Sequence, residues 1–478
     1  MGAFDKKPEK KKDEGPKRPW RDNIEAITMA IIVAVMLKYF VVEAYKIPTG
    51  SMQPTLMGHK ETGIFDRIIV DKLSYHYRDP ERWEVTVFKY PLDRSKNFIK
   101  RCVGLPGESF RIFAGDLWTR AGDAEDWKVL RRPKTVQNET WKRIAPSDPR
   151  FAEWRVESTS QGWKADGRAK LSARGDGAAI LPSDRGSVID SYQDGYPGKL
   201  GQHVRKTFQP NEVGDLRLKG RVEALAGCMA VRFELHEGQK KYVFELPGPA
   251  APDDSRPAIA VEAFDLNGQS APVTVRTEEA WKLRAGKRTS FALQNMDDLL
   301  TLEVDGEDVL ALEIDATTSQ TSFFRIASIG EGADFTDLDV YRDIYYIDYG
   351  TGPWDIPEEH YIMLGDNTQD SSDSRLWTFE SWRRTGSEDD TPLRANYIEA
   401  FDANLRHPVL VTGDPVLGSM IWLRDEWGEL HVFPESQAEK IGFERVALVP
   451  RNLVTGRAVA VFWPHSPSLG VWRLKWIH

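Results

Sequence analysis

One apolar run near the N-terminus constrains this chain more than any other feature. The run extends from Ala26 to Val42 and has about the minimum length, roughly 17 residues, that crosses a bilayer as a helix. A basic flank precedes it, and such flanks stay on the cytoplasmic side of a membrane. The flank consists of Lys6, Lys7, Lys10, Lys11, Lys12, Lys17, Arg18 and Arg21. The sequence therefore predicts a cytoplasmic tail over residues 1–21, one transmembrane helix over residues 22–44, and a remainder that lies outside the cytoplasm.

Two other interpretations of this run stay open. A cleavable signal peptide would have a small-x-small cleavage site after the run, whereas Glu43, Tyr45 and Lys46 follow it here. A buried helix of a soluble protein is the second alternative. Because the sequence holds no second run of comparable length, a single span is the prediction.

Composition excludes several classes of protein. The chain has 478 residues, of which 41% are hydrophobic and 29% charged, a balance that is ordinary for globular domains and unlike a multi-span membrane protein. A net charge of -9 argues against nucleic acid as a partner. The two cysteines, Cys102 and Cys228, are far apart and show no metal-ligand spacing. The sequence therefore predicts neither a metal site nor a cofactor.

Short apolar alternations punctuated by Gly and Pro predict a mainly β protein. The segments RIIVDKL (67–73), EVTVFKY (84–90) and NFIKRCVGL (97–105) have this pattern close to the apolar run. Farther along the chain, polar loops separate many such strands, and Asp305-Gly306 lies between two of them as a hairpin signal. Many strands at short spacing indicate an inserted antiparallel β-sandwich of the jelly-roll type.

Changes in residue composition and strand pattern divide the chain after the helix into five parts. The predicted parts are a catalytic core in three pieces, at 45–118, 346–377 and 447–478, an inserted β-sandwich at 119–345, and a second insert of uncertain structure at 378–446.

The segment Ile47–Leu56, with the sequence IPTGSMQPTL, begins a few residues after the apolar run ends. Its prolines restrict the backbone and Gly50 permits conformations that other residues avoid, so the segment can present the Ser51 hydroxyl in one place. An ordinary turn with an exposed serine would have the same composition.

The segment Asn97–Gly107 contains a lysine within a strand pattern. Alternation places Lys100 on the same face as Phe98 and Cys102, and Arg101 on the other. Burial on an apolar face lowers a lysine pKa, and a neutral amine can take a proton from a serine hydroxyl. A surface lysine on an edge strand is the alternative interpretation.

The segment Gly365–Arg375 is dense in short hydrogen-bonding side chains. A calcium loop of the EF-hand type would require Gly at the sixth and Glu at the twelfth position, where Ser371 and Trp377 stand. The segment is better interpreted as a loop that holds the lysine, in which Ser371 bonds the amine and Asp373 pairs with Arg375.

Together these segments resemble the bacterial type I signal peptidase family, peptidase S26-like. The resemblance covers about a third of the chain, through IPTGSMQPTL, FDRIIVDKL, NFIKRCVGLPGES, GDNTQDSSDSRLW and VPRNLVTGRA in the family's order. It implies a membrane-bound serine endopeptidase with a signal-peptidase-like antiparallel β core. Its substrates would be signal peptides of exported preproteins, cut after small residues at -1 and -3.

The resemblance also implies roles for individual residues. Ser51 would be the nucleophile and Lys100 the general base, and the Thr49 hydroxyl would form the oxyanion hole with the Ser51 backbone N–H. Ser371 would orient the lysine, supported by Asp373, Arg375 and Asp366. The implied substrate-binding walls are Tyr45, Ile47, Met52, Leu56, Val87 and Ile99, for which plain core packing is the alternative.

The implied location is the inner (cytoplasmic) membrane, single-pass, with the lipid bilayer as a partner. A catalytically weak or inactive protein that binds signal peptides or glycans on the same scaffold is the alternative function. The inserted sandwich vaguely resembles concanavalin- or laminin-G-like domains, so a glycan or protein ligand of the insert is a further expectation.

Overall fold

The computed structural model describes most of the chain. The described residues are 19–59, 63–122, 124–145, 153–167, 169–181, 188–190, 210–265, 268–269, 273–317, 321–385, 392–397, 419–466 and 471–478. Within them the protein is mainly β, as predicted, with one long N-terminal helix.

The N-terminal helix begins at Pro19, continues as an α-helix to Met36 and ends in a π-helical turn over Leu37–Val41. The segment Asn23–Val41 has 19 residues and a mean hydropathy of 2.1, so it is long and apolar enough to cross a membrane, and none of its residues is buried in the protein. The helix ends three residues before the predicted boundary at residue 44. Residues 42–44 belong instead to the strand Val42–Lys46, because their backbone pairs antiparallel with Arg67–Asp71.

An antiparallel sheet follows the helix, and strands from both ends of the chain build it. In spatial order its strands are Val42–Lys46, Arg67–Asp71, Val454–Trp463, Val85–Tyr90, Asp93–Gly104, His360–Leu364 and Leu448–Pro450, with Lys475–Trp476 paired to Val454–Trp463. The three segments at 67–73, 84–90 and 97–105 predicted as strands all lie in this sheet. Because Val454–Trp463 separates two early strands, the C-terminal segment completes the sheet.

A small second sheet adjoins this one. Its strands, in spatial order, are Trp354–Asp355, Ser109–Phe113, Asp116–Arg120 and Lys128–Val129. Buried side chains from both sheets form one cluster, which includes Val103, Phe110 and Ile362. The short helix Lys134–Thr140 packs Val136 into the same cluster.

Two further antiparallel sheets enclose the largest apolar cluster of the molecule between them. The first contains Lys164–Ala165, Leu171–Ser172, Ala333–Arg342, Leu216–Ala224, Arg288–Met296, Leu299–Val304 and Glu307–Glu313, with Lys142–Ala145 paired to Ala333–Arg342. The second contains Arg155–Val156, Gly177–Leu181, Ser322–Gly330, Cys228–Glu237, Lys240–Pro247, Ala258–Asp265 and Gly268–Gln269, with Val273–Arg276 paired to Ala258–Asp265. This is the predicted inserted sandwich. Asp305 and Gly306 form the tight turn of one of its hairpins, both at positive φ.

The stretch 378–446, whose structure the sequence left uncertain, contains a five-stranded antiparallel sheet. Its spatial order is Leu430–Pro434, Met420–Asp425, Leu393–Tyr397, Thr378–Arg384 and Ala438–Arg445. Arg94 on the first sheet makes an ion pair with Glu426, so this sheet contacts the strand that also carries Lys100.

The remaining elements are short. They are the strand pairs Gly58–His59 with Ile64–Phe65 and His465–Ser466 with Val471–Trp472, and the 3-10 turns Ser74–His76, Glu435–Gln437 and Arg451–Leu453. Both cysteines are buried and free.

Candidate active site

Ser51 and Lys100 meet although 48 residues separate them in the chain. Ser51 begins the turn that follows the strand Val42–Lys46, and Lys100 lies within the strand Asp93–Gly104. The Lys100 Nζ donates a hydrogen bond of 2.7 Å to the Ser51 Oγ. This is the reach that a nucleophile and its general base require.

The environment of Lys100 lowers its basicity. The side chain is only 3% exposed, and Phe98 covers it with its ring centroid 5.8 Å from the Nζ. Burial lowers the pKa of Lys100 from its ordinary value to about 8, while the nearby carboxylate of Asp373 acts in the opposite direction. A substantial fraction of the amine is therefore neutral slightly above neutral pH.

Thr49 lies beside the pair. Its Oγ1 is 3.5 Å from the Ser51 Oγ, and the residue is exposed. The Thr49 hydroxyl therefore lies next to the Ser51 hydroxyl on an exposed residue.

The loop Gly365–Arg375 packs directly against the Ser51 turn. The Asn367 backbone N–H donates to the Ser51 carbonyl at 3.1 Å, and its side-chain Nδ2 donates to the Gly50 carbonyl at 2.9 Å. A Cβ at Gly365 would lie 2.5 Å from the Ser51 carbonyl oxygen and 2.1 Å from the Ser371 Oγ. Only glycine therefore allows this approach between the two backbones.

Asp366 joins this loop to the strand of Lys100 through a fully buried ion pair. The Arg101 Nε and Nη2 donate to its two carboxylate oxygens at 2.9 and 2.8 Å, and the Thr55 hydroxyl donates to the same carboxylate. Burial by itself would raise the pKa of Asp366, but the Arg101 guanidinium holds it below its usual value. The Arg101–Asp366 pair therefore fixes the position of the loop relative to the strand that carries Lys100.

A second buried pair closes the loop on itself. The Arg375 Nε and Nη2 donate to Asp373 at 2.8 and 2.7 Å, and the Gly365 N–H donates to the same carboxylate at 3.0 Å. Ser371 is 4% exposed, and its Oγ has no hydrogen-bond partner within the described residues. Its role in orienting the lysine stays a prediction.

The inserted sandwich also touches this loop. The Lys142 Nζ donates to the Asp366 carbonyl at 3.3 Å, and the Thr368 hydroxyl donates to the Tyr345 carbonyl at 2.7 Å. Sequence reasoning missed Lys142, and it did not identify Arg101 as the partner of Asp366. Alternation placed Arg101 opposite Lys100, but nothing local indicated a carboxylate 265 residues away.

The six residues proposed as substrate-binding walls share one apolar cluster. Ile47, Met52, Leu56 and Val87 are buried within it, whereas Tyr45 and Ile99 pack against it and remain partly exposed. The four buried side chains therefore lie beneath the surface, and Tyr45 and Ile99 form its accessible part.

Comparison with known proteins identifies the chain's relatives. The family model described as "Signal peptidase, peptidase S26" matches residues 20–155 and 301–384. A signal peptidase I of Leptolyngbya laminosa is 37% identical over 209 residues, which cover 41% of this chain and 84% of that protein.

Two relatives from Synechocystis are matched over a smaller share of their length. The "Probable signal peptidase I-2" is 40% identical over 134 residues, 27% of this chain and 58% of that protein. The "Probable signal peptidase I-1" is 32% identical over 126 residues, 24% of this chain and 61% of that protein. The matched segments thus span about 60% of the length of these relatives.

Solved β-sandwich structures also align with part of the chain. The carbohydrate-binding module CBM66 from Bacillus subtilis is 11% identical, covers 39% of this chain and 94% of that one, and has a TM-score of 0.25. At this score the likeness carries no argument about a ligand.

Proposed function

This chain belongs to the signal peptidase family, peptidase S26, and we propose that it is a membrane-anchored serine endopeptidase that removes signal peptides from exported preproteins. The observation that carries this proposal is the 2.7 Å hydrogen bond from the Lys100 Nζ to the Ser51 Oγ. A serine beside a buried amine with a pKa of about 8 has the base that its hydroxyl needs.

The proposed reaction proceeds in two halves. Neutral Lys100 takes the Ser51 proton as the Oγ attacks the scissile carbonyl, and the resulting ammonium returns that proton to the leaving amine. The acyl group remains on Ser51 as an ester. Lys100 then takes a proton from a water molecule as that water attacks the ester. The bond between the acyl carbon and the Ser51 Oγ breaks, and the ammonium returns the proton to the Oγ. The released carboxylic acid loses its own proton to solvent.

Charge on the carbonyl oxygen develops during both halves. The Thr49 hydroxyl and the Ser51 backbone N–H are the proposed donors to it, and one such donor typically contributes about 3–4 kcal/mol. The position of the Thr49 Oγ1, 3.5 Å from the Ser51 Oγ on the exposed side, supports this assignment. Ser371, Asp373, Arg375 and Asp366 are proposed to position the lysine and the nucleophile.

An extended substrate beside these strands would direct every second side chain toward the protein. Tyr45 and Ile99 are the proposed accessible walls of the binding surface, with Met52 and Leu56 beneath them. A shallow apolar surface of this kind favours small residues at -1 and -3, as in signal peptides.

The helix Asn23–Val41 is proposed as the membrane anchor, with the basic N-terminus in the cytoplasm and the catalytic part outside. The catalytic core is proposed to consist of residues 45–118, 346–377 and 447–478, since strands from all three parts pair in one sheet. Residues 119–345 and 378–446 are then inserts into that core.

Cleavage of a preprotein with an A-x-A site in detergent tests the proposal. Wild type is expected to cut after the second alanine, while Ser51→Ala and Lys100→Met lose on the order of 10³-fold or more in rate. Lys89→Met, which changes a partly exposed lysine on the neighbouring strand, is the matched control and should cut normally. Wild-type binding without cleavage would instead favour the inactive binder.

A further inference from the structure

A cavity lies where the small core sheet meets the inserted sandwich. Asp116 reaches it from the core strand Asp116–Arg120, whereas Asp215, Glu237 and Asp298 reach it from the sandwich. Its volume is about 60 Å³, enough for an ion together with a few water molecules. The reaction at Ser51 uses none of these residues.

The carboxylates at this cavity converge on one point. Oxygen atoms of Asp116, Asp215 and Asp297 all lie within 4.8 Å of one another. Calcium binds oxygens at about 2.3–2.6 Å, so two oxygens on one ion are at most about 5 Å apart. The three carboxylates therefore meet the distance condition for binding a common ion.

Asp298 supplies an independent indication that this cavity binds a cation. The residue is 6% exposed and lines the same cavity, and its Oδ2 has no hydrogen-bond partner in the part of the chain that the structure describes. A buried carboxylate oxygen without a partner is costly unless a cation compensates it. The chain nevertheless places Asp297 and Asp298 together in one tight turn, both at positive φ.

The local charge balance points the same way. Arg132 contacts Asp297 and Asp343, and Arg131 and Lys240 act on Asp298 from a greater distance. Arg132 is shared between two carboxylates, so this one positive charge does not balance both of them.

We propose that Asp116, Asp215, Asp297 and Asp298 bind one divalent cation, of the Ca²⁺ class, which joins the inserted sandwich to the core. The ligand set consists of hard oxygens with no sulfur or nitrogen, which suits Ca²⁺ or Mg²⁺ rather than zinc. Calcium fits better because it accepts irregular sets of carboxylates, whereas Mg²⁺ demands a near-ideal octahedron. The sequence predicted no metal site because these ligands come from three distant segments without local spacing.

Ca²⁺ binding to the full-length protein in detergent, after removal of metal with a chelator, tests this proposal. Addition of about 5 mM Ca²⁺, above the dissociation constants of about 10⁻⁴–10⁻³ M found in extracellular calcium modules, should raise the melting temperature of wild type by several degrees. Tb³⁺ should bind in its place and luminesce through Tyr345, which lines the cavity, and Ca²⁺ should displace it.

Two variants locate the ion. Asp298→Asn and Asp116→Asn should each weaken Ca²⁺ binding by about tenfold or more, since each removes one anionic ligand. Asparagine tolerates the positive φ of position 298, so this variant should fold, as circular dichroism would verify. The control Asp254→Asn changes an exposed aspartate of the insert and should leave binding unchanged.

Two results would overturn the proposal. The first is that wild type shows neither a Ca²⁺-dependent melting temperature nor Tb³⁺ luminescence, while the Asp298→Asn variant is more stable than wild type in the presence of chelator. The carboxylates would then share protons instead of a cation. The other is unchanged Ca²⁺ affinity in both Asp298→Asn and Asp116→Asn, which would place the ion elsewhere.

Discussion

At the scale of single residues, burial decides what Lys100 can do. An exposed lysine is protonated at neutral pH and cannot act as a base. Lys100 is 3% exposed, and its pKa, lowered to about 8, places the change from ammonium to amine close to neutral pH. The same burial that costs stability therefore supplies the proposed base.

The pH dependence of cleavage follows from this pKa. Because the neutral amine is the active form and the pKa is lowered to about 8, kcat/KM should rise about tenfold between pH 7 and pH 9 and level off above that. The measurement is the initial rate of preprotein cleavage at low substrate concentration across this range.

A second lysine provides the control for this profile. Burial also lowers the pKa of Lys475 to about 8, so its titration could produce a similar curve. Lys475→Gln should keep the wild-type profile if Lys100 is the base. A flat wild-type profile, or a profile that disappears in Lys475→Gln, would contradict the assignment.

At the scale of elements, the loop Gly365–Arg375 positions the site because two buried ion pairs hold it. One pair, Arg101–Asp366, connects the loop to the strand of Lys100, and the other, Asp373–Arg375, lies within the loop. The side chains of both pairs are 0% exposed, so water cannot replace either partner. The loop therefore behaves as part of the sheet.

Removal of one partner of the Arg101–Asp366 pair should destabilise the protein strongly. Asp366→Ala leaves the Arg101 guanidinium buried without its carboxylate, and we expect it to lower the free energy of unfolding by about 3–5 kcal/mol. Urea denaturation followed by fluorescence measures this change.

The matched control is an exposed ion pair that also joins distant segments. Asp79 pairs with Arg451 and its side chain is 70% exposed, so Asp79→Ala should cost about 0–1 kcal/mol. Equal effects of the two substitutions would show that the burial of Asp366 does not matter for stability.

At the scale of the whole molecule, the protein separates into a helix without buried residues in its described part and a globular part held together across its sheets. No residue of the segment Asn23–Val41 is buried, while the contacts of Lys142 with Asp366 and of Tyr345 with Thr368 tie the inserted sandwich to the core. Stability therefore resides in the globular part, and association with a membrane in the helix.

Deletion of residues 1–36 tests this division. The truncated protein should keep a melting temperature close to that of the full chain, because no described side chain of the deleted helix is buried. Flotation with liposomes should find the full chain bound and the truncated protein free. A large fall in melting temperature would mean that the helix packs on the globular part after all.

Much of this protein could be predicted from the sequence. The apolar run, the alternating strands and the Asp305-Gly306 turn are local patterns, because each can be recognised within a segment of about 20 residues or fewer. The segments around Ser51, Lys100 and Asp366 were identifiable in the same way, by their composition and by their resemblance to one family. The five-stranded sheet within 378–446 was not predicted, because its strands lack a clear alternation.

The sequence by itself determined the elements and the chemical groups, and only the tertiary structure decided which groups meet. The 2.7 Å approach of Lys100 to Ser51, the Arg101–Asp366 pair and the meeting of Asp116 with Asp215 and Asp297 all join distant segments. Such meetings depend on the order of strands in the sheets, where Val454–Trp463 lies between Arg67–Asp71 and Val85–Tyr90. The burial that lowers the pKa of Lys100 has the same origin, because it requires packing from the loop 365–375 as well as from its own strand.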